Sequence, residues 1–332
     1  MKKIFYFPKP NTGNQYSNNT IKAIENAGDF SVVNAPTLKE FIKNPLQILR
    51  CNRADFVIIN WLESHLAGKD GSFSLIGMFK FFSYLLLFKI IAKNLIYVRH
   101  NIYPHNMSGK SAKLAAQLTD VCQKFCNVKV AHSGHLCESG YNYIPHPLYS
   151  EVNKYSEKSN GYYIIFGKIE RYKNIESVIL NWVSDLPLLI AGSVGDERYL
   201  KYLKDISQGR NIMFDARFIP DSEAAMLVSQ AKALIIAHAD DDMIVSGSFF
   251  YALSLGVPVI SKSSKFFEWL VDARGFRSIV MFDSASELEN TLKRKVFLSP
   301  AEVLKEAEEN FGMLKVELSW KSLLSPPYSL RN

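Results

Sequence analysis

Cysteine is scarce in this chain, with only Cys51, Cys122, Cys126 and Cys137 among 332 residues. So few exclude a disulfide framework at this length. Cys122 and Cys126 lie i, i+4 in a helical stretch and can share a face. A zinc site needs two more ligands nearby, and the histidines do not follow a finger spacing. Reduced core thiols, a cytosolic location and no metal are the expectation. Long apolar runs are missing too. The start, Met1–Pro8, has lysines but an apolar run of only four residues, so no signal peptide is expected. Lys80, Lys89 and Lys93 interrupt the most apolar part, Phe73–Val98, which falls short of the roughly 20 apolar residues that span a bilayer. Two readings stay open there: a buried helix followed by a strand, or a basic, aromatic-rich helix lying in a lipid interface. Repeats and low-complexity tracts are absent. So is any aromatic–basic stripe, which argues against nucleic acid as the partner.

What is present is a soluble globular composition, 48% hydrophobic and 21% charged, long enough for two domains. The net charge of +7 favours polyanions, anionic surfaces or phosphorylated ligands. Ten short apolar runs alternate with segments of helical period: Lys3–Phe7, Ala54–Trp61, Asn94–Asn101, Val128–Ser133, Tyr162–Gly167, Pro187–Gly192, Asn211–Phe214, Ala233–Ala237, Val257–Ser261 and Ser278–Phe282. Several are continuous Val, Ile, Leu and Phe, as strands buried on both faces are. Such alternation predicts α/β architecture with parallel sheets and right-handed crossovers. The rhythm breaks once, at the polar stretch Tyr149–Gly161. The predicted organisation is a first domain over 1–148, a linker over 149–161, a second domain over 162–308 and closing helices over 309–332 that pack back on the first. Ligands belong at the carboxyl ends of the strands.

Two stretches carry phosphate-type chemistry. In "YYIIFGKIERYKN" a buried strand runs into Gly167, followed by Lys168 and Lys173. The glycine lets backbone approach a ligand, and each lysine offers a point charge, although lysines after a strand are usually solvated. In "SGSFFYALSLGVPVI" small residues Ser246, Gly247 and Ser248 open a helix whose first N–H groups can face an anion. An ordinary serine N-cap is the competing reading. Asp240–Asp242 could hold a divalent cation, but a lysine-based phosphate site lessens that need, and a solvated loop is preferred. In the first half, "ADFVIINWLESHL" and "NLIYVRHNIYPHN" bring Trp61, Glu63, His65, His100, Asn101 and His105 to strand ends. Glu63 is the first candidate for a general base toward a hydroxyl, and His100 the second.

These segments resemble, in order along the chain, the motifs of GT-B fold glycosyltransferases. The likeness is to the bacterial polysaccharide-assembly branch that includes exopolysaccharide β-mannosyltransferase-like proteins. "NWLE" (Asn60–Glu63) resembles the branch's Trp-Pro-Glu motif, with Leu62 in place of Pro. "RHNIYPHN" (Arg99–Asn106) resembles its His-Asn-x-x-Pro-His-Glu motif, ending in Asn106. "IPHPLY" (Ile144–Tyr149) is similar to the segment closing the first domain. "FGKIERYKN" is similar to Phe-Gly-Arg-x-x-x-Tyr-Lys-Gly, with Lys168 and Asn174 substituted. "FIPDSEAAMLVSQAKALIIAH" and "SGSFFYALSLGVPVI" resemble the later donor-domain signature. Where many relatives carry Glu-x7-Glu, this chain has Met243 and Tyr251.

The resemblance implies two Rossmann-like, doubly wound domains facing each other across a cleft. It also implies metal-independent transfer of a sugar from a nucleotide diphosphate-sugar to a hydroxyl of a lipid-linked saccharide in surface polysaccharide biosynthesis. Gly167, Lys168, Lys173, Ser246, Gly247 and Ser248 would hold the donor diphosphate. Phe218, Ile219 and Tyr251 would lie near the nucleoside, and Asn14, Trp61 and Asn101 on the acceptor side. No cofactor beyond the nucleotide-sugar co-substrate is implied. The expected partners are that donor, the lipid-linked acceptor and an anionic membrane surface, with a peripheral position on the inner face of the bacterial plasma membrane. A non-enzymatic two-domain nucleotide or sugar sensor is the alternative.

Overall fold

A computed structural model of the chain describes residues 1–11, 14–50, 52–104, 107–149, 161–182, 185–238, 244–294 and 297–325. Most of the expected linker, together with Cys51, His105, Asn106, Asp240–Asp242 and Met243, lies outside the described residues. The chain divides into two compact units, Met1–Pro147 with Met313–Asn332, and Leu148–Gly312.

The first unit is built on a six-stranded parallel sheet. Its strands are β1 (Lys2–Phe7), β2 (Phe30–Asn34), β3 (Ala54–Asn60), β4 (Ala92–Arg99), β5 (Val128–Ala131) and β6 (Asn142–Tyr143), in the order β2-β1-β3-β4-β5-β6. Helices α1 (Gln15–Asn26), α2 (Leu38–Lys43), α3 (Pro45–Arg50), α4 (Leu75–Ile91) and α5 (Gly109–Gln123) connect the strands. The apolar runs β3 and β4 are covered on both faces, which is why they read as continuous rather than alternating. Between β3 and α4 the chain makes a 3₁₀ turn over Leu62–Leu66. Gly77 in the first turns of α4 lies so close to it that a Cβ there would stand 1.7 Å from the His65 carbonyl oxygen. Only glycine lets α4 sit down on that turn.

The second unit repeats the plan. Strands β7 (Tyr163–Phe166), β8 (Leu188–Ala191), β9 (Ile212–Asp215), β10 (Ala233–Ile236), β11 (Val259–Lys262) and β12 (Ile279–Phe282) form a parallel sheet in the order β12-β11-β10-β7-β8-β9. Helices α6 (Ile175–Leu180), α7 (Glu197–Ile206), α8 (Asp221–Ser229), α9 (Gly247–Ser254), α10 (Lys265–Glu268), α11 (Leu288–Arg294) and α12 (Pro300–Phe311) complete it. Phe249 and Phe250 of α9 are fully buried among Phe266, Phe276 and Phe311, fixing α9 between α10 and α12.

The last helix, α13 (Met313–Leu324), returns to the first unit. Its buried Val316, Trp320 and Leu323 join Ile4, Ala23 and Ile24 in one core cluster. Asn26 donates to Glu317 at 2.8 Å, and the Lys2 ammonium to the Leu324 carbonyl at 2.9 Å. The change of unit thus falls at Gly312, not at residue 309.

Cys122 is buried and Cys126 half-buried, their thiols pushed up by desolvation. Cys137 is exposed on the turn Gly134–Ser139, contrary to the expectation that the cysteines are core thiols.

Candidate functional site

In a doubly wound sheet the ligand crevice lies where the strand order reverses. In the second unit that point is between β7 and β10, and Gly167, Lys173 and Ser248 of the expected diphosphate residues meet there. Past β7 the backbone turns at Gly167 (φ 110°), whose N–H donates to the Ala191 carbonyl at 3.0 Å. Gly192 (φ 144°) stands opposite, so close that a Cβ would fall 2.1 Å from the Gly167 carbonyl oxygen. The two glycines let the chains leaving β7 and β8 run together without side chains between them.

Lys173 closes a 3₁₀ turn, Arg171–Lys173, and is only 7% exposed. Its Nζ donates to the Phe166 carbonyl at 3.3 Å. A Cβ on Gly167 would lie 2.7 Å from that Nζ and 3.9 Å from the Ser248 hydroxyl. Ammonium, bare backbone and hydroxyl therefore meet within a few ångströms. Burial pushes the Lys173 ammonium down to about 8, against the Coulombic pull of Glu170. A small pocket at this point, lined among others by Lys173, His238 and Ser248, has room of about 10 Å³, enough for one water.

Ser246 is an N-cap, and the helix it opens still begins with N–H groups that no described acceptor takes. Its hydroxyl caps α9 by accepting from the Phe249 N–H at 3.4 Å. The N–H groups of Gly247 and Ser248, ahead of the capped one, have no intrahelical acceptor and no partner among the described residues. Tyr149 stands over this start, with its hydroxyl 3.4 Å from where a Gly247 Cβ would be and its N–H donating to Ser254 Oγ at 2.9 Å. Tyr149 thus belongs to the second unit, not to a free linker.

Other expected residues fall differently. Lys168 is exposed and its ammonium pairs with Glu170, so the two lysines are not equivalent. Phe218 is 75% exposed, but Ile219 turns inward into the core beside Val228 and Phe250. The Ile219 side chain is therefore core, and only its backbone and Phe218 are open to a ligand. Tyr251 stacks on Phe166 with ring centroids 5.5 Å apart, and burial pushes its hydroxyl up to about 12. It is a packing residue beside Gly167.

In the first unit the order reverses between β1 and β3. Trp61, just past β3, sits in the left-handed region (φ 49°), which costs a bulky residue of order 1–3 kcal/mol. Its ring stacks on His100 at 4.2 Å. Around them gather Tyr16, His132 and His146, three residues that sequence reading missed as site components. Tyr16 lies within 5.4 Å of Trp61, His100, His132 and His146 by ring centroid.

The hydrogen bonds fix tautomers. Asn60 Nδ2 donates to the Phe7 carbonyl at 3.0 Å, so its Oδ1 faces His100 Nε2, also at 3.0 Å. His100 Nε2 therefore carries the proton and Nδ1 the lone pair. His132 donates from Nδ1 to the Ile144 carbonyl and accepts the Tyr16 hydroxyl at Nε2, both at 2.8 Å. Desolvation drives His100 and His146 well below the usual imidazole range and His132 down to about 4. The cluster is neutral at physiological pH.

Glu63 does not join it. The left-handed turn at Trp61 sends Glu63 inward, where it is 1% exposed and accepts the Tyr97 hydroxyl at 2.6 Å. Desolvation raises its carboxyl. Enclosed this way and held by Tyr97, the Glu63 carboxylate is turned from solvent, and His100, the second candidate, is itself only 4% exposed. Asn14 spends its side chain capping α1 through the Ser17 N–H at 3.2 Å. The Asn101 carbonyl accepts from Arg99, which also holds Asp120 and Tyr141. His65 stacks on Tyr84 of α4, away from the histidine cluster. Among the described residues no group of three or more His, Cys, Asp or Glu is arranged to hold a metal ion.

The sequence matches no protein-family model and no curated protein. Solved structures do match over nearly the whole chain. Anabaena Alr3699/HepE in complex with UDP aligns with a TM-score of 0.67 at 12% identity, covering 98% of this chain and 99% of that one. Sucrose-phosphate synthase from Thermosynechococcus elongatus aligns at 0.65 and 11%, covering 97% and 98%. The lipopolysaccharide outer core galactosyltransferase WaaB aligns at 0.56 and 13%, covering 97% and 98%. The fold is GT-B. Within a GT-B frame, Gly167, Lys173 and α9 occupy the switch point of the second sheet, and the Trp61–His100 stack lies at the ends of β3 and β4.

Proposed function

We propose that this chain is a glycosyltransferase that moves a sugar from a nucleotide diphosphate-sugar to a hydroxyl of a lipid-linked saccharide during assembly of a surface polysaccharide. The observation that carries the reading is the convergence of Gly167, Lys173, Ser248 and the free N–H groups of α9 at one strand-order reversal. Such a cradle suits a diphosphate better than any neutral ligand. Structures of HepE with UDP, with UDP-glucose, and with UDP and glucose support it.

In the transfer the bond from the anomeric carbon to the β-phosphate oxygen breaks, and a bond to the acceptor oxygen forms. The nucleoside diphosphate leaves with the electron pair. Lys173 and the α9 N–H groups take up the charge that develops on it, usually the largest single catalytic contribution. In the first unit His100, neutral and with Nδ1 unprotonated, receives the acceptor proton, and Trp61 offers its face to a sugar ring. We take the transfer to be metal-independent, with Lys173 and the α9 N–H groups facing the diphosphate charge.

Calorimetry with UDP, GDP and their sugars, followed by product detection with a lipid-linked saccharide, tests the reading. Lys173→Ala is expected to weaken UDP binding and cut turnover at least about tenfold. Wild-type turnover in that variant sinks the diphosphate role, and binding without transfer leaves a nucleotide sensor instead.

A further inference from the structure

Strand β10 is followed by a polar residue where its alternation would place an apolar one. Leu234 and Ile236 pack on the side of Phe249 and Phe250 of α9, and Ala233, Ile235 and Ala237 on the opposite side. The next position on the α9 side is His238, two residues past the end of the strand and half-buried. β10 pairs in parallel with β7 through Ala233–Tyr163 and Leu234–Ile164. Carried forward, that register sets Ala237 beside Gly167 and His238 one step beyond, on the other lip of the strand-order reversal. Tyr172, in the 3₁₀ turn that ends at Lys173, meets the imidazole at a right angle with ring centroids 5.5 Å apart.

We infer that His238 is a further side chain on the donor diphosphate, donating a hydrogen bond to one non-bridging oxygen. Size and polarity decide this. His238, Lys173 and Ser248 line the same pocket against Phe166, and its room of about 10 Å³ admits one oxygen-sized group and nothing as large as a sugar ring. An ammonium, a hydroxyl and an imidazole thus surround a seat for a single oxygen. Among the described residues no acid lines it. Glu170, whose charge acts on Lys173 and Tyr172, is paired with Lys168. An apolar residue at 238 would only extend the core that Leu234 and Ile236 belong to. Imidazole donates a hydrogen bond and can take up a proton between about pH 5 and 8, so an arriving anion can draw a second positive charge into the seat. The inference rests on the sugar-transfer reading and adds to it a donor contact from the β10 side of the crevice.

Calorimetry on the full-length protein with UDP-glucose and GDP-mannose tests it. A sugar-esterified diphosphate has no group of its own titrating near neutral pH, whereas a terminal phosphate such as that of UDP titrates near about 6. With whichever donor binds, the wild type should take up a fraction of a proton at about pH 6.5, read from heats in buffers of different ionisation enthalpy. His238→Gln keeps a hydrogen-bond donor and bulk against Tyr172 but cannot be charged. It should abolish that uptake and weaken binding about threefold, while His238→Ala should weaken it about tenfold. Undiminished proton uptake in His238→Gln overturns the inference. So does binding that both His238 variants leave within about twofold of wild type while Lys173→Ala weakens it, and that result spares the sugar-transfer reading. If neither nucleotide-sugar binds the wild type up to millimolar concentration, the sugar-transfer reading falls and the inference falls with it.

Discussion

Lys173 offers a measurement in which the stability of the free fold and the binding of ligand should move in opposite directions. Burial lowers its ammonium from an ordinary value of 10.5 to about 8. At about 1.4 kcal/mol per unit, holding the charge at neutral pH costs the free fold about 3 kcal/mol. Because the folded value lies below the unfolded one, the unfolded chain holds the proton more tightly between about 8 and 10.5. Stability from this group therefore rises with pH across that window and is lost as pH falls through about 8. Lys173→Met keeps the apolar stem and removes the charge. In free protein at pH 7 it should be stabilising by about 1–3 kcal/mol, several degrees in Tm, and the gap from wild type should close toward pH 10.5. With saturating UDP the variant's advantage should shrink by at least about 1.4 kcal/mol, since about tenfold weaker binding gives it that much less ligand stabilisation. UDP binding should also raise the Lys173 value, so near pH 8 it should take up a fraction of a proton, read from calorimetric heats in buffers of different ionisation enthalpy. A variant less stable than wild type at pH 7 with a gap independent of pH, or one that binds UDP normally with the same proton uptake, refutes the reasoning.

Asn60→Ala should release His100 from its Nε2–H tautomer, visible in side-chain ¹⁵N shifts of histidine-labelled protein; an unchanged His100 pattern removes Asn60 as the positioning group. His100→Asn should leave UDP affinity intact and lower transfer by about a hundredfold, and a loss below threefold would discard His100 as base. Glu63→Gln should keep transfer within about threefold of wild type, and a large loss would restore Glu63 as the base. Gly167→Ala places a methyl against Lys173 Nζ at a backbone angle alanine resists. It should cost about 1–2 kcal/mol in stability and weaken UDP binding about tenfold, and normal binding would show that the close approach is unimportant.

The ten apolar runs all emerge as strands, because parallel strands covered by helices need unbroken Val, Ile and Leu. Two strands left no such signal. β2, at the sheet edge, is at most half-buried and alternates weakly, and β6 is two residues long. The meeting of Gly167, Lys173 and the start of α9 was legible because glycine after a strand and small residues before a helix are local features. His132, His146 and Tyr16 were not, since what assembles them is the adjacency of β1, β3, β4 and β5. Glu63 is enclosed where the chain leaves β3 through the left-handed Trp61 into a 3₁₀ turn, a change of path that no local pattern in the sequence announces. Phe218 and Ile219 show the same limit, adjacent residues of like composition pointing to opposite sides.

The homing of α13 onto the first sheet makes that unit discontinuous in sequence. Residues 1–147 expressed alone would leave bare the seat of Trp320 against Ile4 and Ile24, an oily scar inviting aggregation. Dissecting this enzyme candidate into halves therefore calls for grafting 313–325 back onto the amino-terminal segment through a short tether. By the same logic, a nonsense codon just after Gly312 would spare the second unit and ruin the first.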